Sequence, residues 1–316
     1  MKKRYYFLIG LVIIVLFFII VSKDKPAVDP STINWDPIIA QDVPIFSEEW
    51  KVTPVRIQSN DNGWEDSVFI TPNGQRLYFT YYPGDLIGDA SRLKFVGDLD
   101  IYYSDFPYTT KIKDTRYNVS DTLWSAVGPM LTGNDYFYNS NHDYLNDQKA
   151  DTDTYLNGIR LAFNDFKVDS DFGNPHYCSA KDELWFDEHD KDLWILRNAK
   201  ANNFAGTPEL APSPLHVNSY SNFQPWLSED CNTIYFSSNR GELPVQGPAI
   251  YTSTRNSDDT WATPKVVAYS KIGVGEPTLT SDGTKLFYIQ LFEDKGSDTH
   301  TSEMFYIERV KPIIYN

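Results

Sequence analysis

Residues 276–288 read Glu276-Pro277-Thr278-Leu279-Thr280-Ser281-Asp282-Gly283-Thr284-Lys285-Leu286-Phe287-Tyr288. Each portion has a physical reading. Pro277 to Thr280 is a short strand, and proline is tolerated at a strand's first residue. Asp282-Gly283 is a tight hairpin turn, because both residues accept positive φ. Leu286-Phe287-Tyr288 is the returning strand, apolar enough to be covered on both faces. The pattern recurs upstream. Gln224-Pro225-Trp226-Leu227-Ser228-Glu229-Asp230 runs into Thr233-Ile234-Tyr235-Phe236-Ser237-Ser238, and Asn174-Pro175-His176-Tyr177-Cys178 into Glu183-Leu184-Trp185-Phe186. Ser67-Val68-Phe69-Ile70-Thr71-Pro72-Asn73-Gly74 runs into Arg76-Leu77-Tyr78-Phe79. The poorest copy is Gly128-Pro129-Met130-Leu131-Thr132, followed by Tyr136-Phe137-Tyr138.

The Pro positions, with Val68 standing in for the first, recur roughly every 50 residues, the length of a four-stranded propeller blade. A third strand follows in each unit: Asp100-Ile101-Tyr102-Tyr103-Ser104, Ile159-Arg160-Leu161-Ala162-Phe163, Leu193-Trp194-Ile195-Leu196, Ala249-Ile250-Tyr251-Thr252-Ser253 and Met304-Phe305-Tyr306-Ile307. A fourth is marked by Trp261-Ala262-Thr263-Pro264 and, more loosely, by Phe204 with Pro208. The last unit has no room for its fourth strand, but Trp50-Lys51-Val52-Thr53-Pro54 resembles one. The fold expected is therefore all-β: a β-propeller of about five four-stranded blades, the last completed by the N-terminal segment, leaving no exposed sheet edge. Six blades would need a further unit within residues 74–128 or 132–174.

Composition agrees. Aromatic residues make up 15% of the 316, with 21 Tyr, 19 Phe and 8 Trp, a bias that favours strands. The net charge of −15 argues against a nucleic-acid partner, since an acidic surface repels phosphate backbones. The two cysteines, Cys178 and Cys231, exclude a multi-cysteine zinc pattern. Two buried free thiols are the default reading, and a single bridge in an oxidising compartment is the alternative.

The N-terminus carries Lys2, Lys3 and Arg4 before an unbroken apolar run from Tyr5 to Val21. This is the pattern of an export signal. Val21-Ser22-Lys23 is a poor cleavage site, so a retained signal anchor is favoured over a cleaved peptide, and everything after Lys23 faces outward. The organisation expected is a signal segment at 1–22, a linker and lead-in at 23–48, and the propeller at 49–316. The protein would then lie in the cell envelope, outside the cytoplasm, with the membrane as one partner.

Ser228-Glu229-Asp230 with Tyr235-Phe236-Ser237-Ser238-Asn239-Arg240-Gly241 resembles the WD-like β-propeller repeats of the TolB type. The likeness spans about residues 50–310. It implies a propeller in a bacterial envelope and leaves function open, because propellers host binding modules and enzymes alike.

In such a fold the first strands line a central channel. Candidate ligand-binding residues are those at and before the Pro positions: Trp64, Glu65 and Asp66 with Ser67, then Asn174, Gln224 and Glu276, with His176 and Trp226 just after. The set is acidic and aromatic, suited to a sugar or a cation. Two readings follow. The first is a binding or scaffold module for a glycan, a peptide or an envelope protein. The second is a carbohydrate-active enzyme in which Glu65 or Asp66 works with Glu276, since glycoside hydrolysis needs two carboxylates. No metal site is expected, because His142, His176, His189, His216 and His300 show no ligand spacing. Asp143, Asp147, Asp151 and Asp153 offer oxygens of the kind Ca2+ takes, but without the EF-hand spacing or its glycine; no cofactor is expected. The charge run Asp187-Glu188-His189-Asp190-Lys191-Asp192 reads as a solvated hairpin.

Overall fold

The computed structural model describes residues 28–57, 63–92, 95–119, 124–143, 148–167, 170–188 and 190–310. The expected signal segment therefore lies outside the described residues, as do His189 and Asp147. Among the described residues no helix is long and apolar enough to cross a membrane.

The fold is all-β. Two short strands come first, β1 (Ile45–Phe46) and β2 (Val55–Arg56), after a short helix α1 (Asp36–Ile39). Unit one holds β3 (Trp64–Ile70), β4 (Arg76–Tyr82), a helix α2 (Leu86–Arg92), β5 (Asp100–Asp105) and β6 (Ile112–Lys113). Unit two holds β7 (Ala126–Thr132), β8 (Asp135–Asp143), β9 (Gln148–Leu156) and β10 (Ile159–Arg160). Unit three holds β11 (Phe172–Cys178), β12 (Glu183–Glu188), β13 (Asp192–Arg197) and β14 (Glu209–Leu210). Unit four holds β15 (Asn222–Leu227), β16 (Thr233–Ser238), β17 (Ala249–Thr254) and β18 (Lys265–Tyr269). Unit five holds β19 (Val274–Leu279), β20 (Lys285–Asp294) and β21 (Thr299–Glu308).

Within each unit consecutive strands pair antiparallel. β1 adds to the outside of β18, and β2 pairs with β21 through Val55–Tyr306 and Arg56–Phe305. Trp50 bridges Arg309, whose guanidinium sits 4.5 Å from the indole centroid. Units five and one touch through one parallel pairing, Ser302 with Trp64.

The hairpin turns explain the repeat. At Thr280 to Thr284 the Asp282 carboxylate accepts from Thr280 Oγ1 (2.6 Å) and Thr284 N (3.0 Å). Asn73 accepts likewise from Thr71 Oγ1 and Gln75 N, and Asp230 from Asn232 N. These side chains replace backbone partners in the turn. The next residue is left-handed in each: Gly74 (φ 67), Cys231 (φ 59) and Gly283 (φ 63). Between units, apolar side chains close the core: Trp185, Leu227, Ile234, Phe236 and Trp261 meet between units three and four.

Four expectations are corrected. Cys178 and Cys231 are joined in a disulfide, with Cα atoms 5.9 Å apart, because the turn at Cys231 brings it against the end of β11. In unit two the third strand is β9 rather than residues 159–163: Asn157 (φ 51) and Gly158 (φ 84) turn the chain, and Ile159–Arg160 comes back as the fourth strand. The outer strands begin just after the marking prolines, at Val55, Glu209 and Lys265, since proline cannot donate to the ladder. Finally, the run from Asp187 is not a solvated loop: Asp187 and Glu188 are buried at the end of β12.

Candidate functional site

Every innermost strand carries the same bulge. Register shifts fall between Asp66 and Phe69, Val127 and Met130, Gly173 and His176, Phe223 and Trp226, and Gly275 and Thr278. The bulged residue is left-handed in all five: Ser67 (φ 52), Gly128 (φ 62), Asn174 (φ 49), Gln224 (φ 54) and Glu276 (φ 59). Four of these are not glycine, and a side chain held there costs on the order of 1 kcal/mol or more.

A bulge frees a backbone N–H from the ladder, and a buried N–H must find another acceptor. Here the neighbouring unit supplies it. Ser67 N donates to Glu276 Oε2, Gln224 N to Asp187 Oδ2 (2.8 Å) and Glu276 N to Ser237 Oγ (2.9 Å). The side chains complete a belt. Gln224 Nε2 donates to Glu276 Oε1 (2.8 Å), Ser67 Oγ to Asn174 Oδ1 (3.3 Å), and Asn174 Nδ2 to Asp187 Oδ2 (2.9 Å). The path Asp187–Gln224–Glu276–Ser67–Asn174 returns to Asp187. Close approach at the belt needs bare glycine: a Cβ at Gly173 would stand 2.7 Å from Asp187 Oδ1, and one at Gly275 2.8 Å from Ser237 Oγ.

Two cavities meet at the belt, and Ser67, Asn174, Gln224 and Glu276 line both. The larger holds about 980 Å3 between atoms, its mouth included. Asp66, Asp171, Asp187, Asp190 and Glu276 line it, facing apolar side chains such as Ile87, Leu99, Ile289 and Leu291. No lysine, arginine or histidine among the described residues lines it. Burial pushes the Glu276 carboxyl well above its usual range, and the neighbouring Asp66 carboxylate, in hydrogen-bonding contact, adds to the shift. The half-buried Asp190 carboxyl is also pushed well up, first by desolvation and then by the charges of Asp187, Asp66 and Asp171. Asp171 Oδ1 accepts from Thr152 N (2.9 Å).

The smaller cavity is bounded by Pro129, Pro175, Pro225, Pro277, His176 and Trp226. Burial lowers the His176 pKa to about 4, and its ring meets Trp226 edge-on, centroids 5.9 Å apart.

The sequence-derived candidates thus divide. Trp64, Asp66, Asn174, Gln224 and Glu276 line the larger cavity, where Trp64 Nε1 donates to Asp66 Oδ2 (2.9 Å). His176 and Trp226 line only the smaller. Glu65 turns away from both, accepting from Met304 N through Oε2 (2.9 Å). Of the four acids considered for calcium, Asp153 is held by Arg160 Nε at 2.5 Å; the side chains of Asp143 and Asp151, like Asp147, lie outside the described set. Reading the first strands alone misses Asp187, Asp190 and Asp171. Asp187 had a signal: it follows Leu184-Trp185-Phe186 as Ser237 follows Ile234-Tyr235-Phe236, and both residues face the bulged strand of their unit.

No family model matches the chain, and no curated protein matches it. Solved structures do. A thermostable family-43 glycoside hydrolase is 9% identical over 78% of this chain and 89% of its own, with a TM-score of 0.47. An endo-arabinase from Bacteroides thetaiotaomicron is 13% identical over 86% and 98%, at 0.41. A protein of unknown function from Dyadobacter fermentans is 14% identical over 83% and 82%, at 0.43. These likenesses concern the fold and say nothing about chemistry.

Proposed function

We propose that the five units form a closed five-bladed propeller of the TolB-like kind, and that its larger cavity binds a cationic group. The belt, which runs through units three, four, five and one and comes back to three, supports closure, as does the pairing of β2 with β21. The ligand is an ammonium or guanidinium on an apolar stem, as carried by a lysine or arginine side chain of a peptide. One observation carries this reading: Asp66, Asp187, Asp190 and Glu276 share a cavity with Ile87, Leu99, Ile289 and Leu291 and, among the described residues, with no lining cation. Desolvation and neighbouring charge favour the protonated forms of Glu276 and Asp190, and a bound cation would replace those protons with charge of the same sign. The apolar wall covers the stem.

In the test, short lysine- and arginine-containing peptides are titrated into the full chain by calorimetry. Binding that weakens at least tenfold in Asp66→Asn is expected. Failure of every cationic peptide to bind would overturn the reading.

A carbohydrate-active enzyme is the second reading, favoured by Asp66 standing in one cavity beside Glu276, whose carboxyl burial pushes above its usual range. Their direct contact is closer than the separations of about 5 to 9.5 Å that glycoside hydrolysis uses, and both Glu276 oxygens are engaged. This reading would need a second carboxylate, such as Asp190. Release of reducing ends from an oligosaccharide, abolished in Glu276→Gln with binding retained, would establish it.

The outward-facing location and the membrane tether belong to the same proposal. They rest on Lys2 to Arg4 before the apolar run at 5–21, and the Cys178–Cys231 disulfide suits an oxidising compartment. Protease accessibility in intact cells, with residues after Lys23 cut from outside, tests it.

A further inference from the structure

The long hairpin of β20 and β21 gathers a second set of polar side chains away from the belt. Ile289 and Leu291 face the larger cavity, and Glu293 follows on the same face of β20, two residues further along. Its cross-strand partner on β21 is His300. Asp298 stands in the turn between the two strands. One oxygen of Glu293, one of Asp298 and one ring nitrogen of His300 lie within 4.8 Å of one another. The imidazole is buried, while both acids are half-buried and reach solvent. Asp85 Oδ1 stands 3.7 Å from His300 Nδ1. Asp85 is itself buried and fixed from the other side, because Gly88 N at the start of α2 donates to its Oδ1 (2.8 Å).

We propose that Glu293, Asp298 and His300 form a binding site for a divalent transition-metal ion of the zinc or manganese type, with Asp85 as the outer carboxylate that orients His300. The donor set decides the class of ion. One imidazole nitrogen with two carboxylate oxygens suits zinc and manganese, whereas calcium and magnesium favour oxygen alone. Three protein ligands also leave a position open for water or a ligand group. Bonds of about 2.1 Å need donors no more than roughly 4.2 Å apart, so side-chain movements of a few tenths of an ångström close the shell. At 3.7 Å Asp85 Oδ1 is not yet hydrogen-bonded to Nδ1; the small shift that closes the shell would bring it into the outer position from which a carboxylate fixes a ligating histidine's tautomer and direction. Sequence spacing hides the set: Glu293 and His300 become neighbours only because the hairpin folds one strand onto the other. The site borders the larger cavity through β20 without sharing a residue with its lining.

The test uses the full chain, stripped with chelator and dialysed against zinc chloride or manganese chloride separately. Uptake is read by elemental analysis and affinity by calorimetry. The wild type should take up one equivalent of one of these metals per chain. His300→Ala and Glu293→Gln should each weaken binding at least tenfold, and Asp85→Asn by about 10–100-fold. Asp66→Asn and Glu276→Gln should leave stoichiometry and affinity unchanged, which separates this site from the acids of the cavity. No uptake by the wild type, or uptake that Glu293→Gln and His300→Ala leave intact, would overturn the proposal. Should His300→Ala fail to fold, Glu293→Gln and Asp298→Asn, at half-buried side chains, carry the same test.

Discussion

Units two and five build their innermost strands the same way and put opposite residues at the bulge. Unit five places Glu276 there at φ 59, and unit two places Gly128 at φ 62. The backbone conformation is the same, so glycine meets the geometric demand without strain. Unit five accepts strain and in return gains two acceptors, filled by Gln224 Nε2 and Ser67 N. Unit two gains nothing of the kind, and the belt passes over it through the bond from Ser67 to Asn174. The fold therefore requires the left-handed bulge. The side chains upon it serve the belt and the cavity.

The largest expected effect tests that division. Glu276→Ala should destabilise the protein by about 2–5 kcal/mol, because two buried donors lose their acceptor. Glu276→Gly should cost about 1 kcal/mol less than the alanine variant, since it relieves the backbone. Urea unfolding of both would check this; equal losses would show that the strain is not real.

The next effect sets the two cavities against each other. His176 is held neutral, its pKa lowered from 6.5 to about 4. The unfolded chain therefore takes up this proton first as the pH falls. The stability from His176 is present above pH 6.5 and is lost between 6.5 and about 4, amounting to about 3 kcal/mol. His176→Gln should flatten that limb of the stability curve. Glu276 and Asp190 behave in the opposite way. Their pKa values are raised, so their contribution is full below the ordinary carboxylate range and falls as the pH climbs through the raised values. Asp190→Asn should flatten that alkaline loss. Thermal melts from pH 4 to pH 9 would show both slopes.

Much of this was legible in the sequence. The period of roughly 50, the turn residues at Asp282-Gly283 and Asn73-Gly74, and the residues before Pro175, Pro225 and Pro277 all announce strands and a channel. Local chemistry fixes these, since a tight turn needs a residue that accepts positive φ. The Cys178–Cys231 disulfide was less legible, because proximity across two units has no local signature. Asp187 was hidden by its neighbours: inside a run of six residues with Glu188, Asp190, Lys191 and Asp192, a buried carboxylate looks like a solvated one. Glu65 shows the reverse error. It sits beside Asp66 in sequence, but strand alternation points the two to opposite faces, and Glu65 meets Met304 instead of the cavity.

The smallest expected effect returns to unit two. Gly128→Ala should cost about 1–2 kcal/mol, since alanine meets left-handed strain and its Cβ would lie 3.1 Å from Asn174 N. Asn174→Gly should fall within about 1 kcal/mol of wild type, because the strain relieved offsets the hydrogen bonds lost.

Proton linkage during ligand binding is the most direct test of the cavity. A lysine-containing peptide is titrated into the protein at a series of pH values from 4 to 8, each in two buffers of different ionisation enthalpy, so that the raised values of Glu276 and Asp190 are crossed. A cation entering beside Glu276 and Asp190 should drive protons off them, so the heats should differ between buffers in the direction of net proton release, and Glu276→Gln should reduce that difference. Heats that do not depend on the buffer, or that report proton uptake, would contradict a cation seated among these carboxyls.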